Sequence, residues 1–318
     1  MVSKHGVFRR LKYAAEYAAL RALSAVIGLL PEKLAVRAGV MLGRALRLIG
    51  RRRRRIAREN IKKAMPGEHT AEETRRLVKE VFVNISLTAV ESLWMRSRVT
   101  KENIGTRCRA DGADTVAGVA AEGRGAILCG PHLGNWEFFG AWIAARFGGV
   151  AALARPVNNP MVREYTTRLR EDFGITVLST RDGVRPMIAA LKRGEFLAVL
   201  IDQHVNRAFV PATFFARKAA TTAVVASLAL KFDTPVFTGY SVRDGHSFRH
   251  HAHFEGPIEL VRSGDHEADV LANTQRFNDK LEEIIREHPE QWLWTHRRWK
   301  LADRLERGSQ KEEKMNVR

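Results

Sequence analysis

The sequence predicts an α/β protein in which a mixed central sheet is flanked by helices, with membrane-associating helices at the N-terminus. Two observations predict the sheet and its helices. Beyond residue 100, short apolar runs typical of buried strands alternate with segments of helical periodicity. The chain also has 318 residues, 45% of them apolar, which is enough to bury a full-sized core. The N-terminal helices are inferred from the charge distribution described below.

The elements follow in chain order. Apolar residues at helical spacing predict a long helix from Ala71 to Arg98. Buried strands are then predicted at Ile127–Cys129, Val150–Leu153, Ile175–Leu178 and Phe196–Ile201. The helices between and after them are predicted at 136–147, Met161–Phe173, Val184–Lys192, Ala223–Phe232 and Glu267–Glu287. The runs Pro235–Tyr240 and Phe248–Phe254 indicate a hairpin around Asp244 and Gly245.

Most of the positive charge lies at one end of the chain. Residues 1–65 contain 17 Lys and Arg against three Glu, whereas residues 66–318 contain 36 basic and 32 acidic side chains. Two apolar segments, Tyr13–Leu30 and Leu34–Ile49, lead into the five arginines 51–55. Neither provides the roughly 20 uninterrupted apolar residues of a membrane span. We therefore expect a pair of helices lying in a membrane interface, with Arg and Lys against an anionic surface. A charged, solvated helix packed on the domain is the alternative.

Other classes of function find less support. The arginine run could bind nucleic acid through phosphates, but no zinc-ligand spacing, aromatic RNA-binding signature or helix-turn-helix pattern accompanies it. We therefore expect no specific nucleic-acid partner. The loop 130–134 lacks the glycine spacing of a dinucleotide site. Two cysteines, Cys108 and Cys129, are too few for a disulfide framework.

One corner of the sequence brings a histidine and a glutamate together. The strand at 127–129 ends at Gly130-Pro131, His132 follows on the turn, and Glu137 lies in the first turn of the next helix. With His132 on the turn, the two side chains can meet, and a carboxylate that holds one imidazole nitrogen leaves the other to act as a general base. His132, Arg155 and Asp202 each follow an apolar strand, so we expect them along one carboxyl edge of the sheet.

The string from Gly130 to Glu137 resembles the His-x4-Asp/Glu signature of the lysophospholipid acyltransferase superfamily, and specifically its lipid A acyltransferase branch. Three further blocks occur in the order of that family: 154–160, 201–222 and 289–300. The resemblance implies a glycerolipid-acyltransferase-like domain at 66–305, after membrane-associating helices at 1–65 and before a polar, disordered tail at 306–318. The block at 201–204 lacks the Phe-Pro-Glu-Gly of glycerolipid enzymes, which favours a sugar-bearing acceptor.

The resemblance implies transfer of a fatty acyl group from a thioester to a hydroxyl of a lipid A precursor or related glycolipid. The acyl donor is either an acyl-carrier protein or coenzyme A thioester, and no cofactor or metal is expected. His132 is the expected general base and Glu137 orients it, while backbone N–H groups after Gly134 stabilise the oxyanion. Arg155 is expected to position an anionic substrate group. The other residues assigned to substrate binding are Asn135, Asn159, Asp202, Gln203 and Thr221.

Several alternatives stay open. A phosphatidylinositol mannoside acyltransferase that uses acyl-CoA has similar blocks.

The expected location is the cytoplasmic face of a bacterial inner membrane, as a peripheral or monotopic protein. Cys129 could carry an acyl group, but an inert buried thiol is favoured. The tryptophans 292, 294 and 299 suit either an interface belt or the core. The histidines 246, 250, 251 and 253 lack an identifiable carboxylate partner for metal binding.

Overall fold

The computed structural model describes residues 4–306, with side chains from Phe8 onward. The predicted tail at 306–318 therefore lies outside the described residues except for Glu306. Ten helices are described: α1 Lys4–Leu29, α2 Glu32–Ile49, α3 Arg51–Ala64, α4 Ala71–Arg98, α5 Ala113–Ala121, α6 Trp136–Phe147, α7 Pro160–Glu171, α8 Arg185–Lys192, α9 Val224–Phe232 and α10 His266–Glu287. The nine strands are β1 Cys108–Asp111, β2 Ala126–Gly130, β3 Val150–Ala154, β4 Ile175–Ser179, β5 Phe196–Leu200, β6 Phe209–Phe214, β7 Arg217–Thr222, β8 Val236–Arg243 and β9 His250–Glu255.

Seven strands form the central sheet in the order β1-β9-β8-β2-β5-β3-β4. The strands from β8 to β4 run parallel to their neighbours, β9 is antiparallel to β8, and β1 is parallel to β9. Helices cover the sheet, and α6 packs Phe138, Phe139 and Trp142 into the core of one face. The predicted mixed α/β architecture is therefore confirmed.

Some elements are absent from the prediction. The edge strand β1 and the helix α5 were not predicted, and β6 and β7 pair as a separate antiparallel hairpin. That hairpin docks on α10 because the Gln275 side chain bonds the backbone and hydroxyl of Thr213. Its strands contain many small and polar residues, so they lack the apolar pattern that marks a buried strand.

The helix α2 packs on α4 through its smallest side chains. Ala35, Gly39 and Gly43 are the buried residues of α2. A Cβ added at Gly43 would lie 2.6 Å from the Val83 Cα, and one added at Gly39 would lie 2.8 Å from a methyl group of Leu87. Small residues thus let the two helices approach closely. The larger apolar side chains of α2 are consequently left on its outer face.

The first two helices expose an unusual amount of apolar surface. Met41, Leu48 and Ile49 of α2 are 68%, 62% and 75% exposed. The other large apolar side chains exposed on α1 and α2 are Phe8, Leu11, Leu23, Val26, Leu29, Leu34, Leu42 and Leu46. No helix within residues 4–306 is both long and apolar enough to cross a membrane.

The N-terminal helices are joined to the α/β core by polar contacts. Asn159 Nδ2 donates to the Tyr13 carbonyl and the Glu16 carboxylate, and the Tyr165 hydroxyl donates to Ser24 Oγ at 2.6 Å. These contacts fix α1 on α7. The sequence predicts a pair of N-terminal helices, whereas the structure has three. The third, α3, begins with the arginine run after a break at Gly50.

Candidate active site

The loop after β2 is held from both sides. Gly134 adopts φ 58°, and an added Cβ would lie 2.0 Å from the Ser241 carbonyl oxygen, so only glycine fits this close approach. The Gly134 carbonyl accepts hydrogen bonds from Asn84 Nδ2 and Thr88 Oγ1. The His132 carbonyl accepts a hydrogen bond from the Leu293 N–H. The backbone that carries His132 is therefore fixed by α4, β8 and the segment after α10.

The imidazole of His132 is bonded to Asp202, which follows β5. His132 Nδ1 lies 2.6 Å from Asp202 Oδ1, and the His132 backbone N–H donates to Oδ2 at 2.8 Å. Trp292 Nε1 also donates to Oδ2, at 2.7 Å. The strands β2 and β5 are parallel neighbours, so their carboxyl ends place the two residues side by side. The predicted convergence at the sheet edge thus holds for this pair.

The electrostatics of the pair suit a general base. Burial would raise the pKa of Asp202, but the charge and hydrogen bonds of His132 and the Trp292 N–H outweigh it and lower the pKa to about 2. Asp202 is therefore a carboxylate at neutral pH, and whenever the His132 ring is neutral, its contact with Asp202 favours the tautomer in which Nδ1 carries the proton. Nε2 is then the unprotonated nitrogen. The His132 side chain is 19% exposed whereas that of Asp202 is 1% exposed, so of the two only the histidine is open to solvent.

Glu137 does not take the position expected of it. Its carboxylate accepts two hydrogen bonds from the Arg170 guanidinium, at 2.8 and 2.6 Å, while Nδ1 of His132 faces Asp202. The first turn of α6 directs Glu137 toward α7, whereas the bend at Gly130-Pro131 turns the imidazole toward the end of β5. In the structure the carboxylate that contacts the His132 ring is therefore Asp202, which the sequence had assigned to substrate binding, and Glu137 is bonded to Arg170 instead.

Asn135 is also placed differently from the prediction. It is fully buried; its Oδ1 accepts the N–H groups of Glu137 and Phe138, and its Nδ2 donates to the Glu91 carboxylate. The side chain thus caps helix α6. The backbone N–H groups of Asn135 and Trp136 have no acceptor within residues 4–306. They are the free donors at the start of α6.

A buried ionic cluster lies behind the loop. The Glu91 carboxylate contacts Arg243 Nη1 at 2.7 Å, His250 Nε2 at 2.9 Å and Asn135 Nδ2 at 2.8 Å. Burial would raise the pKa of Glu91, but the charges of Arg243 and His250 lower it to about 2. A buried carboxylate needs such partners because desolvation of an unpaired charge is costly. The cluster connects α4, β8 and β9 to the cap of α6.

No hydrogen bond within residues 8–306 joins the remaining predicted substrate residues to His132. Arg155 is exposed on the loop after β3. Asn159 is buried as the cap of α7 and bonds α1. Thr221 is fully buried, and its hydroxyl accepts from Arg298 Nη2 at 2.6 Å. The Gln203 carbonyl accepts from Arg298 Nη1. The side chains of Asn159 and Thr221 are therefore buried and bonded within the protein.

The segment 289–300 contributes to the site more than the sequence indicated. Trp292, Trp294 and Trp299 are 2%, 0% and 2% exposed, so they belong to the core and not to an interface belt. Trp292 orients Asp202, as described above. Burial lowers the pKa of His296 to about 4. The charge of Asp202 acts in the other direction, whereas that of His132 lowers the pKa further. The alternation of tryptophans with basic residues was the available signal, but it did not reveal which carboxylate they contact.

The thiol of Cys129 is buried in β2 and does not face solvent. Burial and the nearby Asp202 carboxylate both raise the pKa of this thiol far above its ordinary value. A thiolate is the nucleophilic form of cysteine, so the inert reading of Cys129 is favoured over an acyl-carrying one.

The arginine-rich helix α3 packs beside the same segment. Asn60 Nδ2 donates to the carbonyls of Trp294 and His296, and Arg53 Nη1 donates to the Thr295 carbonyl. A pocket forms where α3 meets the chain after Trp294. It is lined by Arg52, Arg55, Ile56, Glu59, Asn60, Lys63, Arg297, Trp299 and Asp303.

Comparison with known proteins identifies the family. Residues 2–301 match the model of the bacterial lipid A biosynthesis acyltransferases. The chain belongs to this family. It is 28% identical to the lipid A biosynthesis palmitoleoyltransferase of Escherichia coli K12 over 270 residues, which cover 82% of this chain and 83% of the relative. It is 24% identical to the lipid A biosynthesis myristoyltransferase of the same organism over 292 residues, which cover 90% of this chain and 87% of the relative.

A second group of relatives acts on another glycolipid. The phosphatidylinositol mannoside acyltransferase of Mycobacterium tuberculosis is 26% identical over 196 residues, or 60% of each chain. Both groups are named for acyl transfer to a glycolipid. The protein is accordingly an enzyme that transfers acyl groups, and the family predicted from the sequence is confirmed.

Proposed function

We propose that this protein transfers a fatty acyl group from an acyl-carrier protein or coenzyme A thioester to a hydroxyl group of a lipid A precursor or related glycolipid. The observation that carries the proposal is the pairing of His132 with the buried Asp202. Its geometry leaves Nε2 as the accessible nitrogen of a neutral imidazole. Such an arrangement is that of a general base with a fixed tautomer.

The reaction follows from that arrangement. His132 Nε2 takes the proton of the acceptor hydroxyl as its oxygen attacks the thioester carbonyl, and the imidazolium is stabilised by Asp202. The tetrahedral oxyanion is stabilised by the free N–H groups of Asn135 and Trp136, and such donors each contribute about 3 to 4 kcal/mol in the transition state. Collapse forms the ester and releases the thiolate, which receives the proton from His132. No cofactor enters this scheme.

The surroundings suit an anionic glycolipid. The guanidinium groups of Arg52 and Arg297 line the pocket next to the segment that carries Trp292, and neither has an ion-pair partner within residues 8–306. A guanidinium offers fixed donors that match a phosphate. We assign Arg52 and Arg297, with the exposed Arg155, to contacts with anionic groups of the substrate. Gln203 remains assigned to the neighbourhood of the acceptor.

The N-terminal helices suit attachment to an anionic membrane surface. Their large apolar side chains face outward because small residues of α2 pack on α4, and basic residues lie among the exposed apolar ones. Apolar burial and attraction to anionic headgroups both favour binding of such a surface. We place the enzyme on the cytoplasmic face of a bacterial inner membrane, as a peripheral or monotopic protein.

The reaction is tested with purified protein, radiolabelled acyl-carrier protein or coenzyme A thioesters, and a panel of acceptors. Mass spectrometry should detect one added acyl chain on a lipid A precursor. The mycobacterial relative motivates a phosphatidylinositol mannoside as the second acceptor. Acylation of the mannoside alone would replace the lipid A assignment. If both acceptors stay unmodified with every donor, the proposed reaction is wrong.

Membrane attachment is tested separately with anionic vesicles. The substitution of Leu48 and Ile49 by serine should weaken vesicle binding without unfolding the protein, because both side chains are already exposed. Val184→Ser is the matched control, since Val184 is 48% exposed at the start of α8. High salt should weaken binding of the parent only in part, because screening leaves the apolar contribution unchanged. If high salt abolishes vesicle binding completely while the protein still binds one nucleic-acid sequence, the nucleic-acid alternative is favoured.

A further inference from the structure

Two histidines and an aspartate meet at the edge of the central sheet, away from His132. The edge strand β1 runs parallel to β9, and the register places Asp111 beside His253 and Arg109 beside His251. His251 and His253 are two residues apart in β9, so both side chains lie on one face of the sheet. Asp111 ends β1 on that face. The site therefore joins two strands that are distant in sequence.

The polar atoms of the three side chains converge. His251 Nε2 lies 2.8 Å from Asp111 Oδ2, and His253 Nδ1 lies 3.7 Å from the same oxygen. One ligand atom from each residue lies within 4.8 Å of the others, and the ring centroids of the histidines are 4.0 Å apart. Despite its short distance to Asp111, His251 Nε2 has no partner in hydrogen-bond geometry in the described part of the chain.

These distances match the requirements of a small divalent ion. Zinc lies about 2.0 to 2.2 Å from imidazole nitrogen and carboxylate oxygen, so ligand atoms around one tetrahedral ion are separated by about 3.3 Å. The observed separations of 2.8 and 3.7 Å lie on either side of that value. We propose that Asp111, His251 and His253 form a binding site for a divalent transition-metal ion of the zinc class.

The donor set defines the class of ion. Two imidazoles and one carboxylate suit zinc, cobalt, nickel and copper, whereas magnesium and calcium prefer oxygen ligands throughout. The side chains of His251, His253 and Asp111 are 21%, 25% and 68% exposed, so an ion can enter from solvent and a water molecule can complete its coordination.

The surroundings hold one ligand in place. The Tyr240 ring stacks on His253 with a centroid distance of 5.0 Å and an interplanar angle of 15°, which fixes the orientation of the imidazole. Tyr240 is itself buried. Arg109 is the cation on the same face of β1, but it is exposed and can turn into solvent. An ion at this position would tie the edge strand β1 to β9, so it would stabilise the fold without entering the acyl-transfer chemistry.

Cobalt and zinc binding to the full-length protein, free of any affinity tag, tests the site. One Co²⁺ per chain should bind and produce visible d–d absorption, and Zn²⁺ should displace it. Loss of an outer-sphere partner typically weakens metal affinity by roughly 10- to 100-fold. His251→Gln and His253→Gln each remove a direct ligand, so each should weaken the Co²⁺ affinity by at least that factor. Zn²⁺ should raise the melting temperature of the parent but not of these variants.

His246→Gln is the matched control, because His246 is an exposed histidine of the same hairpin that pairs with Glu80 instead. It should bind cobalt as the parent does. Parent-like affinity in the His251→Gln, His253→Gln double variant would overturn the site, as would the absence of saturable binding to the parent. In either of those cases the two histidines only form surface ion pairs with Asp111. The acyl-transfer assay is unaffected by this outcome, so the two proposals fail separately.

Discussion

Two of the histidine–carboxylate pairs in the described part of the chain have similar contacts but different surroundings. His132 Nδ1 lies 2.6 Å from Asp202, and His250 Nε2 lies 2.9 Å from Glu91. The His132 side chain is 19% exposed, whereas that of His250 is 0% exposed and its ring stacks on Phe138 at 4.1 Å. Only the first pair can meet a substrate. A short distance between histidine and carboxylate is therefore insufficient to identify a base.

The other partners of each carboxylate complete the distinction. Besides His132, Asp202 receives neutral N–H donors, including that of Trp292, so its negative charge remains available to stabilise an imidazolium. Glu91 is paired with the guanidinium of Arg243, and its charge is already neutralised. The first pair thus suits proton transfer. The second holds α4 against β8 and β9 and fixes the cap of α6 through Asn135.

The largest expected effect is that of His132→Ala. Removal of a positioned general base should lower kcat by roughly 10³-fold or more. The variant should still fold, since the imidazole is partly exposed, although the buried Asp202 carboxylate loses its partner. His250→Gln is the matched variant, and it should lower the stability but keep most of the activity per folded molecule. Acyl-transfer assays with chemical denaturation measure both quantities. Near-normal turnover by His132→Ala would refute the assigned base.

Asp202→Asn should have the next largest effect. The amide keeps the volume but removes the charge and permits the wrong imidazole tautomer. We therefore expect kcat to fall by about 10²- to 10³-fold, less than the roughly 10⁴-fold loss that the same change causes in a Ser-His-Asp triad. Asp202 acts through His132, so KM should stay close to that of the parent. A change in KM with an unaltered kcat would return Asp202 to the substrate-binding role predicted from the sequence.

Glu91→Gln should affect stability more than chemistry. The substitution leaves the guanidinium of Arg243 buried without its counter-ion, and breaking a buried ion pair costs about 3 to 5 kcal/mol. Denaturant-induced unfolding measures this loss. The activity of the folded fraction should be less affected than in Asp202→Asn. A variant as stable as the parent would mean that the cluster does not hold the fold together.

The same carboxylate makes stability depend on pH. Glu91 titrates near 4.5 in the unfolded chain and near 2 in the folded protein. A lowered folded-state pKa stabilises the protein above 4.5, and this contribution, about 3 kcal/mol, is lost as the pH falls toward 2. Unfolding free energies measured from pH 6 to pH 2 should therefore fall less steeply for Glu91→Gln. The pH dependence that remains in Glu91→Gln includes the contribution of Asp202, whose pKa is lowered from 3.8 in the unfolded chain to about 2 in the folded protein. Parallel curves for the two proteins would contradict the assigned ion pair.

The sequence predicted most of the fold because most strands and helices have regular apolar patterns. The helix Ala71–Arg98 was predicted with the bounds of α4, and the strands β2 to β5 were located within two residues of their ends. The edge strand β1 escaped prediction because it has only four residues and its strand pairing is with β9, far away in sequence. The same distance hid the carboxylate that accompanies His251 and His253.

The candidate site was predicted only in part. His132 and Asp202 were both placed at the carboxyl edge of the sheet, which follows from parallel strands alone. Their direct contact depends on the order of strands, because β5 lies next to β2 although the chain forms β3 and β4 between them. The local spacing instead favoured Glu137, whose direction depends on how α6 packs against α7.

The smallest expected effect, Glu137→Gln, tests that distinction directly. The Glu137 and Arg170 side chains are 29% and 26% exposed, so this ion pair is worth about 1 kcal/mol or less. Because Nδ1 of His132 already faces Asp202, the substitution should leave most of kcat intact, and Arg170→Gln should have an equally small effect. Measurement of kcat in both variants beside Asp202→Asn decides between the two carboxylates. A fall in Glu137→Gln as large as in Asp202→Asn, without one in Arg170→Gln, would restore Glu137 as the orienting residue.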